Sequence, residues 1–229
     1  MIFKENDSHE SKLQRLNREL QCLLSVPRRR QLEWELVIGE SGSLGENDTA
    51  HQINGFLGKA QNWTVIHDLR LEWKGRVAQI DHLIFNRMLE VYVVESKNFN
   101  TKIRQTNCGW EKLVAGRWKG IPSPVEHNKR HISVLQELIK EAKLAPTQLG
   151  IPVPVNFFNV VLVAPTCSIT GTFPKGTRVY RQDEFIREIQ AVDGSSPSPS
   201  KVVARRTLRD FTKSLAAHHK IAPVKKSVR

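Results

Sequence analysis

Asp81, Glu95 and Lys97 are polar residues in two largely apolar segments between Arg76 and Asn98. Asp81 lies in the first segment, and Glu95 and Lys97 lie in the second. Read as β-strands, in which every second side chain lies on the same face, the segments place Asp81 on one face with Leu83 and Phe85, and Glu95 and Lys97 on one face with apolar residues. The turn between them, centred near Met88, predicts an antiparallel hairpin in which residues whose numbers sum to 176 are paired. This register places Asp81 opposite Glu95.

The predicted carboxylate pair suggests a metal site. Two ionised carboxylates about 4 Å apart repel by roughly 4 kcal/mol at an effective dielectric constant of about 20, so an uncompensated pair destabilises the hairpin. A divalent cation or a shared proton would relieve the repulsion. Carboxylate oxygens suit Mg²⁺ or Mn²⁺, and such an ion activates water and neutralises a phosphate group. Lys97 can point at the same place, and Gln79 adds a polar group on the strand face of Asp81; the alternative is a hairpin whose charges face water.

The residues around this pair resemble a known family. Asp81 and the Glu95-Ser96-Lys97 segment resemble the PD-(D/E)XK superfamily of metal-dependent nucleases. Over residues 42–143 the chain also resembles the NERD domain, the nuclease-related domain of bacterial and plasmid-borne proteins. The motifs that carry this second resemblance are Gly45-Glu46, Gln79-Ile80-Asp81-His82 and Val94-Glu95-Ser96-Lys97-Asn98.

The resemblance implies that Glu46, Asp81 and Glu95 bind the metal ion and that Lys97 assists the nucleophile or the transition state. Gln79 would orient a water molecule or a neighbouring ligand. The family tends to have an Asn-Pro pair and a following Gln before its next helix. This chain departs from that pattern at residues 123–127, SPVEH, so the resemblance assigns no role to the histidine there.

Glu46 follows a Gly/Ser-rich segment, Gly39–Gly45, which we interpret as a linker before a helix that opens near Gly45. Glu46 would then stand in the first turn and share a face with Ala50, Ile53 and Leu57, so that it points inward. It is either a third metal ligand or an acidic residue that favours the positive end of the helix dipole.

The rest of the chain predicts strands alternating with helices. We predict strands at 63–73, 99–104, 110–118, 153–164 and 178–181, and helices at 8–25, 124–143, 183–191 and 201–219. The helix 124–143 and the buried strand after it predict a crossover connection. The expected fold is a mixed central β-sheet flanked by helices, with a restriction-endonuclease-like core. The expected domains are an N-terminal helical extension (1–40), a nuclease-like domain (41–192), a flexible linker (193–200), and a basic C-terminal helix and tail (201–229).

Two side-chain patterns outside the carboxylate motifs have simpler interpretations. Leucines 13, 16, 20, 23 and 24 form a stripe that fits either packing onto the main domain or a contact in a homodimer. His67 and His82 are predicted to make core or edge hydrogen bonds rather than to act in catalysis. His131 is predicted on the basic face of its helix.

Composition favours a nucleic-acid partner. The net charge of +12 and the pI near 9.9 favour a polyanion, with DNA or RNA ahead of a membrane surface. The basic residues predicted to contact phosphate groups are Lys102, Arg104, Lys129, Arg130, Arg205 and Arg206. Unclustered cysteines and the lack of a signal peptide or a long apolar span predict a soluble, cytoplasmic protein.

Two functions fit these patterns. The first is a Mg²⁺- or Mn²⁺-dependent nuclease that hydrolyses phosphodiester bonds, with DNA favoured as substrate. The second is a nucleic-acid-binding module that retains the nuclease fold, cleaves little and acts with a partner protein.

Overall fold

The computed structural model describes residues 1–5, 16–22, 25–148, 150–173, 176–193 and 202–221. The helices are α1 (Val26–Leu57), α2 (Pro124–Glu141), α3 (Gln182–Asp193) and α4 (Arg205–Ala216). The first strands are β1 (Ile2–Lys4), β2 (Trp63–Trp73), β3 (Arg76–Asn86), β4 (Glu90–Lys97), β5 (Lys102–Thr106) and β6 (Gly109–Val114). The remaining strands are β7 (Arg117–Ile121), β8 (Thr147–Gln148), β9 (Ile151–Pro152), β10 (Asn156–Val163), β11 (Ser168–Gly171) and β12 (Arg178–Arg181).

A six-stranded mixed sheet forms the centre of the molecule, in the order β1-β2-β3-β4-β10-β12. Strands β2, β3 and β4 are antiparallel neighbours, whereas β10 is parallel to both β4 and β12. The chain passes from β4 to β10 through α2, which is the predicted crossover. The predicted fold class, a mixed sheet flanked by helices, is confirmed.

The β3–β4 hairpin has the predicted register. His82 pairs with Val94 and Phe85 pairs with Val91, so paired numbers sum to 176. Asn86 closes the turn, because its side-chain oxygen accepts hydrogen bonds from the backbone N–H groups of Met88 (3.0 Å) and Glu90 (3.1 Å). The turn therefore determines which residues of the two strands face each other.

Helices cover both faces of the central sheet. On one face, apolar residues of α2 and α4 pack against β2, β3 and β4, and Val93 belongs to this cluster. On the other face, residues of α1 and α3 pack against the sheet, and Val94 belongs to that cluster. Because side chains alternate along a strand, Glu95 follows Val93 toward α2, and Ser96 follows Val94 toward α1.

A second, four-stranded sheet has the order β11-β5-β6-β7. Ile103 and Trp110 of this sheet pack with Val125, near the start of α2, and with Val163, at the end of β10. The second sheet therefore lies beside the end of β4, where Glu95 and Lys97 are found.

The linker predicted at Gly39–Gly45 is wrong, because these residues belong to the continuous helix α1. Glycines in a helix cost about 1 kcal/mol each relative to alanine, but burial of Ile53 and Leu57 against the sheet stabilises the helix. Gly45 also has a packing role. A Cβ added there would lie 2.8 Å from the Cβ of Asn98, so the helix approaches the end of β4 closely because Gly45 has no side chain.

Other predictions fall partly outside the described residues. Of the helix predicted at 8–25, residues 16–20 are helical and Leu16 is buried. Most of the linker predicted at 193–200 and most of the tail lie outside the described residues. The boundary predicted between residues 40 and 41 falls inside α1, and the division into domains stays a prediction. Within the described ranges, no helix combines the length and the apolar character needed to cross a membrane.

Candidate functional site

Asp81 and Glu95 each lie one residue beyond His82 and Val94, the last paired residues of β3 and β4. The Asp81 Oδ2 atom accepts a hydrogen bond of 2.7 Å from the backbone N–H of Ser96. The Glu95 side chain is only 3% exposed, and its Oε1 atom lies 2.6 Å from Nζ of Lys97. The hairpin therefore brings the predicted pair and the predicted lysine into one site.

Glu46 reaches the same site from α1. Burial raises the pKa of Asp81 well above its usual range, and the negative charges of Glu95 and Glu46 raise it further. The hydrogen bond from Ser96 and the charge of Lys97 oppose this rise only in part. Glu46 lies well inside α1 rather than in its first turn, so the helix dipole does not explain an acidic residue there.

Lys97 remains a cation in this environment. Burial alone would lower its pKa, but the carboxylates of Glu95, Asp81 and Glu46 outweigh burial and raise the pKa. The ammonium group therefore stays protonated at neutral pH and supplies positive charge to the site.

Gln79 lies two residues before Asp81 on β3. Its side-chain Nε2 donates a hydrogen bond to Asp68 of β2. This bond orients Gln79 beside the neighbouring strand, and its predicted role in orienting water or a ligand stays a prediction.

Two histidines of α2 lie over Glu95. Nε2 of His127 is 3.6 Å from Oε1 of Glu95, and Nδ1 of His131 is 3.9 Å from Oε2. The two rings are 4.3 Å apart, centre to centre. The prediction that His131 lies on the basic face of the helix is wrong, because its side chain is only 8% exposed and faces Glu95. Burial, followed by the charges of His127, Arg130 and Lys97, lowers the pKa of His131 to about 4.

Asn128 holds these histidines in place. Its buried Nδ2 donates to the backbone oxygen of Val93 (2.7 Å) and to the side-chain oxygen of Asn159 (2.9 Å). Asn159 in turn donates to the backbone oxygen of Val125, at 2.9 Å. These bonds connect α2 to both β4 and β10. Local sequence patterns do not indicate this anchor, whereas the histidine pair has a signal in the sequence, the four-residue spacing of two histidines on a predicted helix.

A row of buried polar groups behind Ser96 is connected by hydrogen bonds and extends to α1. Nε2 of His82 is 3.0 Å from Oγ of Ser96, and Nδ1 of His82 is 2.8 Å from Nδ1 of His67. Nε2 of His67 is 2.8 Å from Oδ1 of Asn54 in α1. His67 and His82 therefore make core hydrogen bonds, as predicted.

The predicted phosphate-binding residues are spread over the molecule. Lys129 and Arg130 are exposed on α2, beside His127. Lys102 and Arg104 belong to β5, where Arg104 pairs with Glu111 at 2.7 Å.

The last two predicted phosphate-binding residues, Arg205 and Arg206, begin α4. This helix starts beside the β3–β4 turn, because the backbone N–H of Val203 donates to the oxygen of Arg87 at 2.8 Å. Only Lys129 and Arg130, of the six predicted residues, share a helix with residues that contact Glu95.

The three carboxylates fit a hard divalent cation. Burial, followed by the negative charges of Glu95 and Glu46, raises the pKa of Asp81, and a bound dication would offset the repulsion between these charges. Oxygen ligands from Glu46, Asp81 and Glu95 are of the kind that Mg²⁺ and Mn²⁺ prefer.

A helix-flanked mixed sheet with this acidic cluster beside a lysine defines a nuclease-like α/β protein. Residues 41–163, more than half of the chain, match the family model for NERD, the nuclease-related domain. The chain therefore belongs to the NERD family, and the placement in the PD-(D/E)XK superfamily is consistent with this membership. Searches of curated proteins and of solved structures found no match to the chain.

Proposed function

We propose that the protein is a metal-dependent nuclease that hydrolyses phosphodiester bonds of DNA. The observation that carries the proposal is the convergence of Asp81, Glu95, Glu46 and Lys97 at one site of a nuclease-related domain. Fold alone does not establish an activity, whereas this combination of charges matches the needs of phosphodiester hydrolysis.

Glu46, Asp81 and Glu95 would hold Mg²⁺ or Mn²⁺. When bound, the ion would neutralise the charge of the phosphate group and lower the pKa of a water molecule bound to it. Asp81 is held toward the site by the N–H of Ser96, and the rigid hairpin keeps it beside Glu95. The hairpin thus holds two of the three carboxylates near each other, and α1 supplies the third.

Lys97 would contact the substrate phosphate. Its ammonium group is protonated because three carboxylates raise its pKa, and it is 35% exposed, so an anion can approach it. A phosphate oxygen beside Nζ would be stabilised most when negative charge increases in the transition state.

A nucleic acid, for which we propose DNA, suits the site as substrate because the chain is strongly basic. The net charge of +12 attracts a polyanion at long range, and Lys129 and Arg130 are exposed on the helix that covers the site. We expect these two residues to contact phosphate groups next to the cleaved bond.

The test is cleavage of fluorescent linear, circular and single-stranded DNA with Mg²⁺, Mn²⁺ or EDTA at low salt. We expect cleavage that requires metal and that falls by about a hundredfold or more in Asp81→Asn and in Lys97→Ala. Glu46→Gln should also be impaired. Its matched control is Asp48→Asn, an exposed carboxylate on the same helix, which should retain activity.

Circular dichroism would verify that each variant is folded. Cleavage that persists in Asp81→Asn or in EDTA would contradict the proposal. Tight DNA binding by the wild type without cleavage of any substrate would favour the nucleic-acid-binding module instead, with catalysis supplied by a partner protein.

A further inference from the structure

We propose that Glu95, His127 and His131 form a second cation site, selective for a transition-metal ion of the zinc type. The three side chains offer one carboxylate oxygen and two imidazole nitrogens, all within 4.8 Å of one another. Two imidazoles and one carboxylate are a donor set that Zn²⁺ accepts readily, whereas Mg²⁺ prefers oxygen ligands alone. The site shares Glu95 with the acidic cluster but differs from it in chemistry, because its other two ligands are imidazole nitrogens.

The spacing of the donor atoms suits a shared ion better than direct hydrogen bonds. Nε2 of His127 and Nδ1 of His131 are 3.6 and 3.9 Å from the two oxygens of Glu95. These distances exceed those of good hydrogen bonds. Two ligands bound to one tetrahedral zinc ion at about 2.0–2.1 Å from the metal lie about 3.4 Å apart. The three donor atoms lie within 4.8 Å of one another, so the site must close by about 1 Å to bind the ion.

A second observation points to a ligand at this place. Among the described residues, Nδ1 of His131 has no hydrogen-bond partner although it is buried. A buried imidazole nitrogen without a partner costs about 1–3 kcal/mol, and a metal ion held against Glu95 would satisfy it. The ring directs this nitrogen toward Oε2 of Glu95.

The scaffold fixes the three ligands before any ion binds. His127 and His131 are one helical turn apart on α2, so they project from the same face of the helix. Asn128, between them, fastens α2 to β4 through the backbone oxygen of Val93. Glu95 follows two residues later on that strand, so one hydrogen bond sets the distance between the helix and the carboxylate.

Two cations compete with a metal ion at this site. Lys97 lies 2.6 Å from Oε1 of Glu95 and must yield part of that contact. Arg130 lies 3.2 Å from Nδ1 of His127, and Nδ1 must carry the proton when Nε2 binds a metal, so the Arg130 contact has to break. Removal of the Arg130 charge should therefore strengthen metal binding.

The experiment is calorimetric titration of metal-free, tag-free protein with Zn²⁺, together with the visible spectrum of the Co²⁺-loaded protein. His127 is 44% exposed, so His127→Ala should fold normally; we expect its Zn²⁺ affinity to fall about tenfold or more. Arg130→Gln should bind Zn²⁺ several-fold more tightly than the wild type. The matched control is His218→Ala, at a histidine beyond the end of α4, which should bind like the wild type.

The proposal does not rest on nuclease activity, because binding is measured directly. Mg²⁺ binding, titrated in parallel, should be unaffected by His127→Ala. Absence of Zn²⁺ binding tighter than millimolar in the wild type would overturn the proposal. Equal affinities in the wild type and His127→Ala, or an equal loss in His218→Ala, would overturn it as well.

Discussion

The Asn128 side chain connects three elements: α2, to which it belongs, and the strands β4 and β10, which accept its hydrogen bonds. Its amide group is fully buried and donates to β4 and to Asn159 of β10. A buried amide whose N–H groups are hydrogen-bonded stabilises the fold, and its removal takes a donor from each acceptor. At this residue, stability and the position of α2 over Glu95 depend on the same bonds.

We predict that Asn128→Ala lowers the free energy of unfolding by about 2–3 kcal/mol, because the oxygens of Val93 and Asn159 lose their donor. Urea unfolding followed by circular dichroism would measure the change. Asn100→Ala, at an exposed position, should change stability by less than about 0.5 kcal/mol. Equal stabilities of Asn128→Ala and Asn100→Ala would contradict this account.

The acidic site was predictable from local pattern, whereas the residues that surround it were not. Asp81 and Glu95 belong to one hairpin, whose register follows from strand alternation and a short turn. His131 and Asn128 lie about 35 residues further along the chain, and their partners become neighbours only after the crossover has formed. A single sequence shows their spacing but not which strand the helix covers.

At the scale of elements, α1 carries Glu46 to the site through a close approach at Gly45. The helix passes the end of β4 where the Cβ of Asn98 leaves no space for a side chain. A Cβ added at Gly55, in the same helix, would have nothing within 4 Å. Substitutions at the two glycines can therefore distinguish the effect of the contact with β4 from the general effect of glycine in a helix.

We predict opposite effects for two alanine substitutions in α1. Gly55→Ala should raise stability by about 0.5–1 kcal/mol, because alanine favours the helix. Gly45→Ala should lower stability and reduce metal-dependent cleavage, because the helix must move away from β4 and carries Glu46 with it. Thermal unfolding and cleavage rates would measure both effects, and a stabilised, fully active Gly45→Ala variant would show that the contact is unimportant.

Strands were easier to predict than α1. The segment 63–73 matches β2, and 178–181 matches β12, because apolar alternation and flanking turn residues are local signals. In α1, a Gly/Ser-rich composition indicates a linker, yet packing against the sheet outweighs the low helix propensity. A tertiary contact of this kind is invisible in the local pattern.

At the scale of the whole molecule, the buried histidines make stability depend on pH. Burial, followed by the charge of Lys4, lowers the pKa of His67 to about 4, and burial lowers the pKa of His82 well below its usual value. In the unfolded chain a histidine binds a proton near pH 6.5. Between these values the unfolded chain binds more protons than the folded chain, so stability is complete above about pH 6.5 and decreases as the pH falls toward 4.

We predict that His67 alone accounts for a loss of about 2 kcal/mol between pH 7.5 and pH 5. Urea unfolding of the wild type and of His67→Gln at both pH values would measure it. The loss of stability in the wild type minus the loss in His67→Gln gives the contribution of His67. Asp81, whose raised pKa acts in the opposite direction, is present in both proteins and cancels. His51→Gln, at an exposed histidine, should lose as much stability as the wild type, and the same loss in His67→Gln would contradict the prediction.

The hydrogen bonds in the row of buried polar groups behind Ser96 all run in one direction, with each donor on the Ser96 side and each acceptor on the Asn54 side. Nδ2 of Asn54 donates to Glu5 at 3.1 Å, so Oδ1 of Asn54 must accept the proton of His67 Nε2. Nδ1 of His67 is then an acceptor, and His82 must carry its proton on Nδ1, which leaves Nε2 bare. The two neighbouring histidines are therefore opposite tautomers. The Ser96 hydroxyl therefore donates to Nε2 of His82, and Ser96 donates to Asp81 through its backbone N–H.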